Sequence, residues 1–314
     1  MITRRALLPV LGVPAIGVIP LNRRVGEPIP PRPPQTRLLF GGDVMLSRYV
    51  GKMARELHDP ASPLRELAPF LRGADLAFVN LEAPFSDRGR VVESGMVFKA
   101  EPEMIQALET AGIAIVSTAN NHARDCAGYG VEFTLDWLAR HGIAAVGSAK
   151  TPEQTHQGTV LERNGVRFGF LAYTYDQSNG NHKDVDPRVA LMDTGRMRDD
   201  VRALRTRADV AIVSMHAGIE YSPMPNAQQK EFAKAAIDAG ARIVVGHHPH
   251  VTQPWERYGS GVIFYSLGNL VFDQFQRAET QRGWLAESIF SGASLVHAGV
   301  IPVTIVRTIP RLAA

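Results

Sequence analysis

The sequence predicts an α/β domain built on a central sheet that is at least partly parallel. Three observations predict it. Short β-type runs alternate with helical stretches across residues 37–307, and no internal repeat or long linker interrupts them, so they read as one domain. Gly112, Gly142 and Gly240 follow three of the helical stretches, where left-handed C-caps belong. Asp43, Asn80, Glu82, Asn121, His216 and His248 stand at the ends of β-type runs. In open α/β sheets that edge is where ligands bind.

Taken in order, the chain begins with Arg4-Arg5 ahead of the apolar stretch Ala6–Leu21, followed by Arg23-Arg24. A positive start and an apolar run have the form of an export signal. Thr3-Arg4-Arg5 suggests a twin-arginine variant. Pro9, Pro14 and Pro20 make this stretch poorly helical and short for a bilayer span. Residues 1–23 are therefore expected to be a signal peptide or N-terminal anchor, and 24–36 a Pro-rich linker spacing the domain from a membrane. The expected location is exported: membrane-associated, periplasmic or extracellular. Strands are expected over Arg37–Gly41, Leu76–Asn80, Ala114–Thr118, Val166–Tyr173, Val210–Met215, Arg242–Gly246, Val262–Ser266 and Val300–Val306. Helices are expected over Tyr49–Leu57, Pro63–Leu71, Pro102–Ala111, Tyr129–His141 and Gln228–Ala239. In Tyr129–His141 the apolar Val131, Leu135 and Leu138 share one face, as an amphipathic helix requires. Residues 308–314 read as a tail.

The formal charge is +3, but the basic excess is local. Residues 1–36 hold Arg4, Arg5, Arg23, Arg24 and Arg32 against Glu27, which leaves 29 basic and 30 acidic residues in the remainder. That balance argues against nucleic acid as a partner. A single cysteine, Cys126, excludes an intramolecular disulfide and a thiolate-cluster metal site.

Five clusters carry chemistry. Gly246-His247-His248-Pro249-His250 sets three histidines at the end of an apolar strand. Burying such imidazoles unpaired is costly, so a metal site accounts for them most simply. Gly246 is expected to let the backbone turn, and an extended backbone would put His248 and His250 on one side. Gly41-Gly42-Asp43 ends the first strand, where Asp43 either projects into a cleft or caps the following helix. Asn80-Leu81-Glu82 repeats the pattern; a buried Glu82 would need a cation beside it, while an exposed one would be a solvated charge. Asn120-Asn121-His122 offers an amide oxygen and an imidazole suited to Zn, Mn or Fe; alternatively His122 is an acid that protonates a leaving group, or the pair of asparagines is a turn. His216 ends another strand, and its weight comes from its company. Asn269 and Asp273, after the strand at Val262–Ser266, suit a supporting turn beneath the site.

These motifs, in this order, resemble the CapA/PgsA-type capsule synthesis (poly-γ-glutamate biosynthesis) family from about Leu38 to Pro302. The resemblance rests on Gly42-Asp43-Val44-Met45-Leu46, Asn80-Leu81-Glu82, Ala119-Asn120-Asn121-His122, His216 with Glu220-Tyr221, Gly246–Val251 with Gln253, and Ser266–Asn269 with Val271–Gln274. Thr174-Tyr175 and Asn179-Gly180 add a middle block. That family looks like a branch of the calcineurin-like metallophosphoesterases. The resemblance implies a β-sandwich flanked by helices, a four-layer αββα fold. It also implies that Asp43, Glu82, Asn121, His216, His248 and His250 ring one or two divalent ions (Mn, Zn or Fe), with His122 as the acid and Asn80, Asn120, His247, Glu220, Asn269 and Asp273 in support. Met45 stands where phosphoesterases carry a first-strand histidine ligand, and a thioether is a poor ligand for a hard divalent ion. Ala217 stands where the capsule family usually has Trp, and Cys126 where an aromatic is common.

Three functions follow as expectations. The first is a metal-dependent hydrolase or transferase that uses metal-activated water on a phosphoester or an anionic γ-glutamyl polymer. The second is a non-catalytic polymer-binding accessory of capsule synthesis or export, working with a membrane-bound synthesis machinery. The third is a structural metal domain carrying a partner interface.

Overall fold

The apolar β-type runs are buried on both faces, and they assemble as two sheets rather than one. This is seen in a computed structural model that describes residues 34–88, 95–175 and 185–313. The expected leader, all but the last residues of the Pro-rich linker, and Asn179-Gly180 lie outside the described residues.

In chain order the first half comprises β1 (Gln35–Val44), α1 (Arg48–Glu56), α2 (Ser62–Arg65), α3 (Ala68–Leu71), β2 (Leu76–Leu81), α4 (Ile105–Ala111), β3 (Ile113–Ser117), α5 (Ala127–Arg140), β4 (Ala144–Val146), α6 (Pro152–Thr155), β5 (Thr159–Arg163) and β6 (Val166–Thr174). The second half comprises α7 (Thr194–Leu204), β7 (Val210–His216), α8 (Ala227–Ala239), β8 (Ile243–His247), β9 (Thr252–Tyr258), β10 (Gly261–Leu267), β11 (Asn269–Val271), β12 (Arg282–Ser291), β13 (Ser294–Val306) and β14 (Ile309–Leu312). One sheet has the order β14-β13-β12-β1-β2-β3-β4, with β11 beside β1; the other has the order β5-β6-β7-β8-β10-β9. Strands β1 to β4 pair in parallel, as do β6, β7, β8 and β10, while the outer strands pair antiparallel.

Side-chain alternation decides the layers. Leu38, Phe40, Phe78 and Ile115 from the first sheet meet Phe168, Phe170, Ile212, Val245 and Phe264 from the second in a central core. The opposite face of the first sheet (Leu39, Val79, Val116) packs on Val50, Leu64, Leu108 and Leu138 of the helices. The opposite face of the second (Leu171, Val213, Val244) packs on Met197, Val201, Phe232 and Ile237. Val244 and Val245 thus serve different cores. The result is the helix–sheet–sheet–helix sandwich expected from the resemblance, with the fold class confirmed.

Three expectations change. Pro63–Leu71 is two short helices, because Pro69 sits at the start of α3 and cannot continue a helix begun earlier. The tail expected over residues 308–314 contains β14, paired with β13 through a turn at Arg307 and Thr308, both of positive φ. Gly246 does not turn the chain but continues β8, where a Cβ would run into the carbonyl of Tyr265.

The carboxyl ends of β1, β2, β3, β7 and β8 are brought together across the two sheets, and Gly42 is what lets β1 reach that edge. A Cβ on it would collide with the Gly268 carbonyl, the backbone that also accepts the Asp43 N–H at 3.0 Å. Gly42→Ala should therefore destabilise the protein by about 3 kcal/mol, the upper end for an overpacked interior. Urea denaturation that left the midpoint unchanged would contradict this account of the β1 end.

Candidate metal centre

Asp43 is fully buried, and its side chain does not cap a helix: Ser47 occupies the N-cap of α1. The carboxylate instead accepts from Asn80 Nδ2 at 2.8 Å and from the backbone N–H of His248 at 3.2 Å. His247 Nδ1 and His250 Nδ1 stand 3.4 and 3.5 Å from its oxygens. Burial by itself would raise this carboxyl, but the two imidazoles prevail and hold it well below the usual carboxylate range.

Glu82 lies beyond the end of β2 and is also fully buried. Its Oε1 has no hydrogen-bond partner and sits 3.8 Å from His250 Nε2 and 4.0 Å from His216 Nε2. Burial first, and the neighbouring Asp43 charge second, push its carboxyl well above the usual range. Ligand-type atoms of Asp43, Glu82 and His250 all lie within 4.8 Å of one another.

This arrangement fits a divalent cation. Two carboxylates buried together repel, and an orphaned buried carboxylate oxygen is costly. A cation between them removes both penalties, and an oxygen-and-imidazole donor set without sulfur suits Mn, Fe or Zn. Two neighbouring imidazoles are also held towards the neutral form, the one in which a ring nitrogen can ligate. Burial, then the neighbouring His248, lowers His216 well below the ordinary imidazole range, and burial, then His250, lowers His248 to about 3.

The other expected ligands form a second tier. His216 is bonded on both sides, Nδ1 to Asn80 Nδ2 at 3.2 Å and Nε2 to Asn121 Oδ1 at 2.8 Å, so it and Asn121 contact one another. His248 is buried with Nδ1 unpartnered, its ring centroid 4.9 Å from that of His216 and 5.9 Å from that of His250. The extended backbone expected for His248 and His250 is not found: both have positive φ, 95° and 58°. The His248 N–H held by Asp43, and the Pro249 carbonyl accepting from Tyr221 N at 2.8 Å, keep this strained loop in place.

The supporting residues divide in the same way. Asn120 Nδ2 reaches Asn80 Oδ1 and the Leu81 carbonyl, latching the loop after β3 to β2. Asn269 Oδ1 meets His250 Nδ1 at 3.0 Å. His247 is fully buried with neither ring nitrogen in a hydrogen bond. Asp273 faces away, accepting from Tyr49 N and pairing with Arg48, and so anchors the start of α1. Glu220 is exposed at the rim. Met45 is buried in the helix-side core, where its sulfur accepts the Ser47 N–H, and offers nothing to the cluster.

His122 stacks on Phe98 at 3.8 Å between centroids, and its Nδ1 meets Asp125 Oδ2 at 2.7 Å. Asp125 Oδ2 also accepts the Phe98 N–H at 2.6 Å. Asp125 was not among the residues expected at the site, although a carboxylate three positions after a histidine in one loop was a visible signal. It selects the tautomer that carries the proton on Nδ1 and leaves Nε2 for chemistry. Cys126 beside it is buried, and burial, then the Asp125 charge, pushes its thiol up to about 11.

Residues 37–274 match the model of the family described as bacterial capsule synthesis protein PGA_cap. The chain is 33% identical over 239 residues to the PGA biosynthesis protein CapA of Bacillus subtilis, covering 75% of this chain and 63% of that protein. It is 31% identical over 245 residues to the capsule biosynthesis protein CapA of Bacillus anthracis, covering 74% and 59%. The chain thus spans about three fifths of the length of these relatives. In structure it is similar to a 5'-nucleotidase precursor from Thermus thermophilus, with TM-score 0.53 and 12% identity over 86% of this chain and 54% of that one. At that identity the likeness concerns the fold.

Two outcomes are expected. Mn2+ or Zn2+ at a hundred times its Kd should stabilise the protein by about 2.7 kcal/mol. Glu82→Gln should abolish that gain while leaving the metal-free protein about as stable, because the amide stands in for the protonated carboxyl that burial and Asp43 favour there; calorimetry in which the variant kept the full gain would exclude Glu82 as a ligand. The Cys126 thiol should resist alkylation at pH 8 until the protein is denatured, and fast labelling of native protein would show that the loop opens.

Proposed function

This chain belongs to the bacterial capsule synthesis family, and from that premise we propose that it is an exported, divalent-metal-dependent hydrolase or transferase acting on an anionic, γ-glutamyl-type polymer. The observation that carries the reading is the buried Asp43–Glu82–His250 cluster with its orphaned Glu82 oxygen. A structural metal site is closed by its own ligands, whereas here Glu82 Oε1 and His248 Nδ1 are both buried without a hydrogen-bond partner at the sheet edge.

Asp43, Glu82 and His250 would hold the ion, with His248, His216 and Asn121 next to them. A bound divalent ion supplies Lewis acidity at the reacting centre. The remaining work falls to the chain. Asn80 orients Asp43 and His216 with one amide group. Asn269 orients His250. His122, held by Asp125 through its Nδ1–H and by Phe98 beneath the ring, would take a proton on Nε2 from the attacking water and return it to the departing group. Protonation suits a leaving amine as well as a leaving alkoxide, so the same group serves amide or phosphoester cleavage. Export rests on Arg4-Arg5 and the apolar Ala6–Leu21; among the described residues no helix is long and apolar enough to cross a membrane.

The test is turnover of γ-linked glutamate oligomers by the metal-loaded protein, followed by mass spectrometry, with a nitrophenyl phosphodiester in parallel. Cleavage or transfer of the oligomer supports the reading, and turnover of the phosphodiester alone would move the substrate class to phosphoesters. Tight oligomer binding with no turnover would leave a polymer-binding accessory instead. His122→Ala should lower kcat by about 10^2- to 10^4-fold with little change in KM. Asp125→Asn should lower it in the same sense by disturbing the tautomer, and equal kcat in both variants and wild type would remove His122 as the acid.

A further inference from the structure

The wall that carries His250 continues, past Val251 and Thr252, into a cavity of about 320 Å³ whose lining includes Tyr221, Arg277, Glu279 and Arg282. Its walls are tied to the candidate metal centre by a run of hydrogen bonds. His250 Nδ1 meets Asn269 Oδ1, Asn269 Nδ2 donates to Gln274 Oε1 at 3.1 Å, and Gln274 Nε2 donates to the Tyr221 hydroxyl at 3.3 Å. The loop bearing Arg277 is fastened to the same residues. The buried Thr280 hydroxyl bonds the carbonyls of Gln274 and Arg277, and the Thr280 carbonyl accepts from Asn269 Nδ2 at 2.9 Å. Arg277 then lies over the Tyr221 ring, 4.7 Å from its centroid, and that ring is 6.3 Å from His250.

Two guanidinium groups therefore border a residue-sized space at a set position from His250. Among the described residues neither Arg277 nor Arg282 is in an ion pair, and Glu279 is the one carboxylate in the lining. Arg282 also borders an adjoining cavity of about 400 Å³ whose lining includes Phe275, Val306 and Arg307. Arg277 thus borders the first cavity, Arg307 the second and Arg282 both, with Tyr221 and Phe275 supplying apolar surface beside them.

We propose that these two cavities form a track for successive carboxylate-bearing units of an acidic polymer, with Arg277 and Arg282 gripping the unit next to the cluster and Arg282 and Arg307 the unit after it. A planar guanidinium matches a carboxylate in two parallel hydrogen bonds, which a solvated lysine does not. Because the anchoring run of bonds ends on His250, a unit held by Arg277 would lie in register with the reacting centre. The inference rests on the reading that the substrate is an anionic polymer.

The experiment is calorimetric binding of a γ-linked glutamate hexamer to the metal-loaded full chain at two salt concentrations, with inorganic phosphate as a competitor. Arg277→Ala and Arg282→Ala should each weaken hexamer binding about tenfold or more, with metal content and thermal midpoint unchanged. Arg277→Lys should recover only part of the loss, and Arg307→Ala should weaken the hexamer but not a dimer. Hexamer binding that is equal in wild type and arginine variants overturns the track and leaves the polymer reading intact. A wild type that binds no hexamer overturns both. Phosphate that displaces the hexamer at equal concentration overturns the track in favour of a single anion hole.

Discussion

Two carboxylates, Asp43 and Glu82, buried side by side at the edge of the sandwich are the constraint around which the rest of this structure is arranged. Like charges in a low-dielectric interior repel strongly, so one must be neutral or a positive charge must lie between them. The protein answers in part with its own groups. Histidines approach Asp43 from one side and an asparagine amide from another, and Asp43 stays ionised. Glu82 receives no such help on Oε1. That asymmetry, one satisfied carboxylate and one unsatisfied, is what a cation placed between them would relieve.

The fold makes the constraint possible by bringing strand ends from two sheets to one place. Asp43 and Glu82 come from the first sheet, and His216 and the histidine loop come from the second. The glycines on either side of the junction matter because of close backbone approach: a side chain at Gly42 would meet Gly268, and one at Gly246 would meet Tyr265. The central core of stacked and tilted aromatic rings, including Phe40, Phe78 and Phe170, sets the spacing of the sheets beneath the site. The strain in the histidine loop, two non-glycine residues at positive φ, is kept because Asp43 and Tyr221 each hold one of its backbone groups.

Around this centre the polar residues form a continuous scaffold. Asn80, Asn120 and Asn269 each join two elements, and each uses a side-chain amide that has both donor and acceptor ends. An amide suits this role because it can bridge a carboxylate and an imidazole without adding charge to a site already crowded with it. Asp125 does the corresponding work for His122, and it holds the Phe98 backbone at the same time. Met45, by contrast, has turned into the helix-side core. Its thioether therefore offers no donor to the Asp43–Glu82–His250 cluster.

Much of this could be read from the residues alone. The parallel strands, their alternation and the concentration of Asp, Asn, Glu and His at their ends follow from local rules, because side-chain period and turn chemistry act over a few residues. Val244 and Val245 were legible as residues of opposite faces for that reason. The long hairpin of β12 and β13 was only partly legible, since its outer face is exposed and its alternation weak, and α7 was hidden by its many charges. The ordering within the site could not be read at all. That Asp43, Glu82 and His250 converge while His216 turns to Asn121, that Asp273 serves a helix, and that Asp125 serves His122 are outcomes of contacts between segments far apart in the chain. Sequence by itself determined which chemical groups arrive at the sheet edge; only the tertiary structure decided which of them share a buried charge, because burial and distance, not residue type, set that energy.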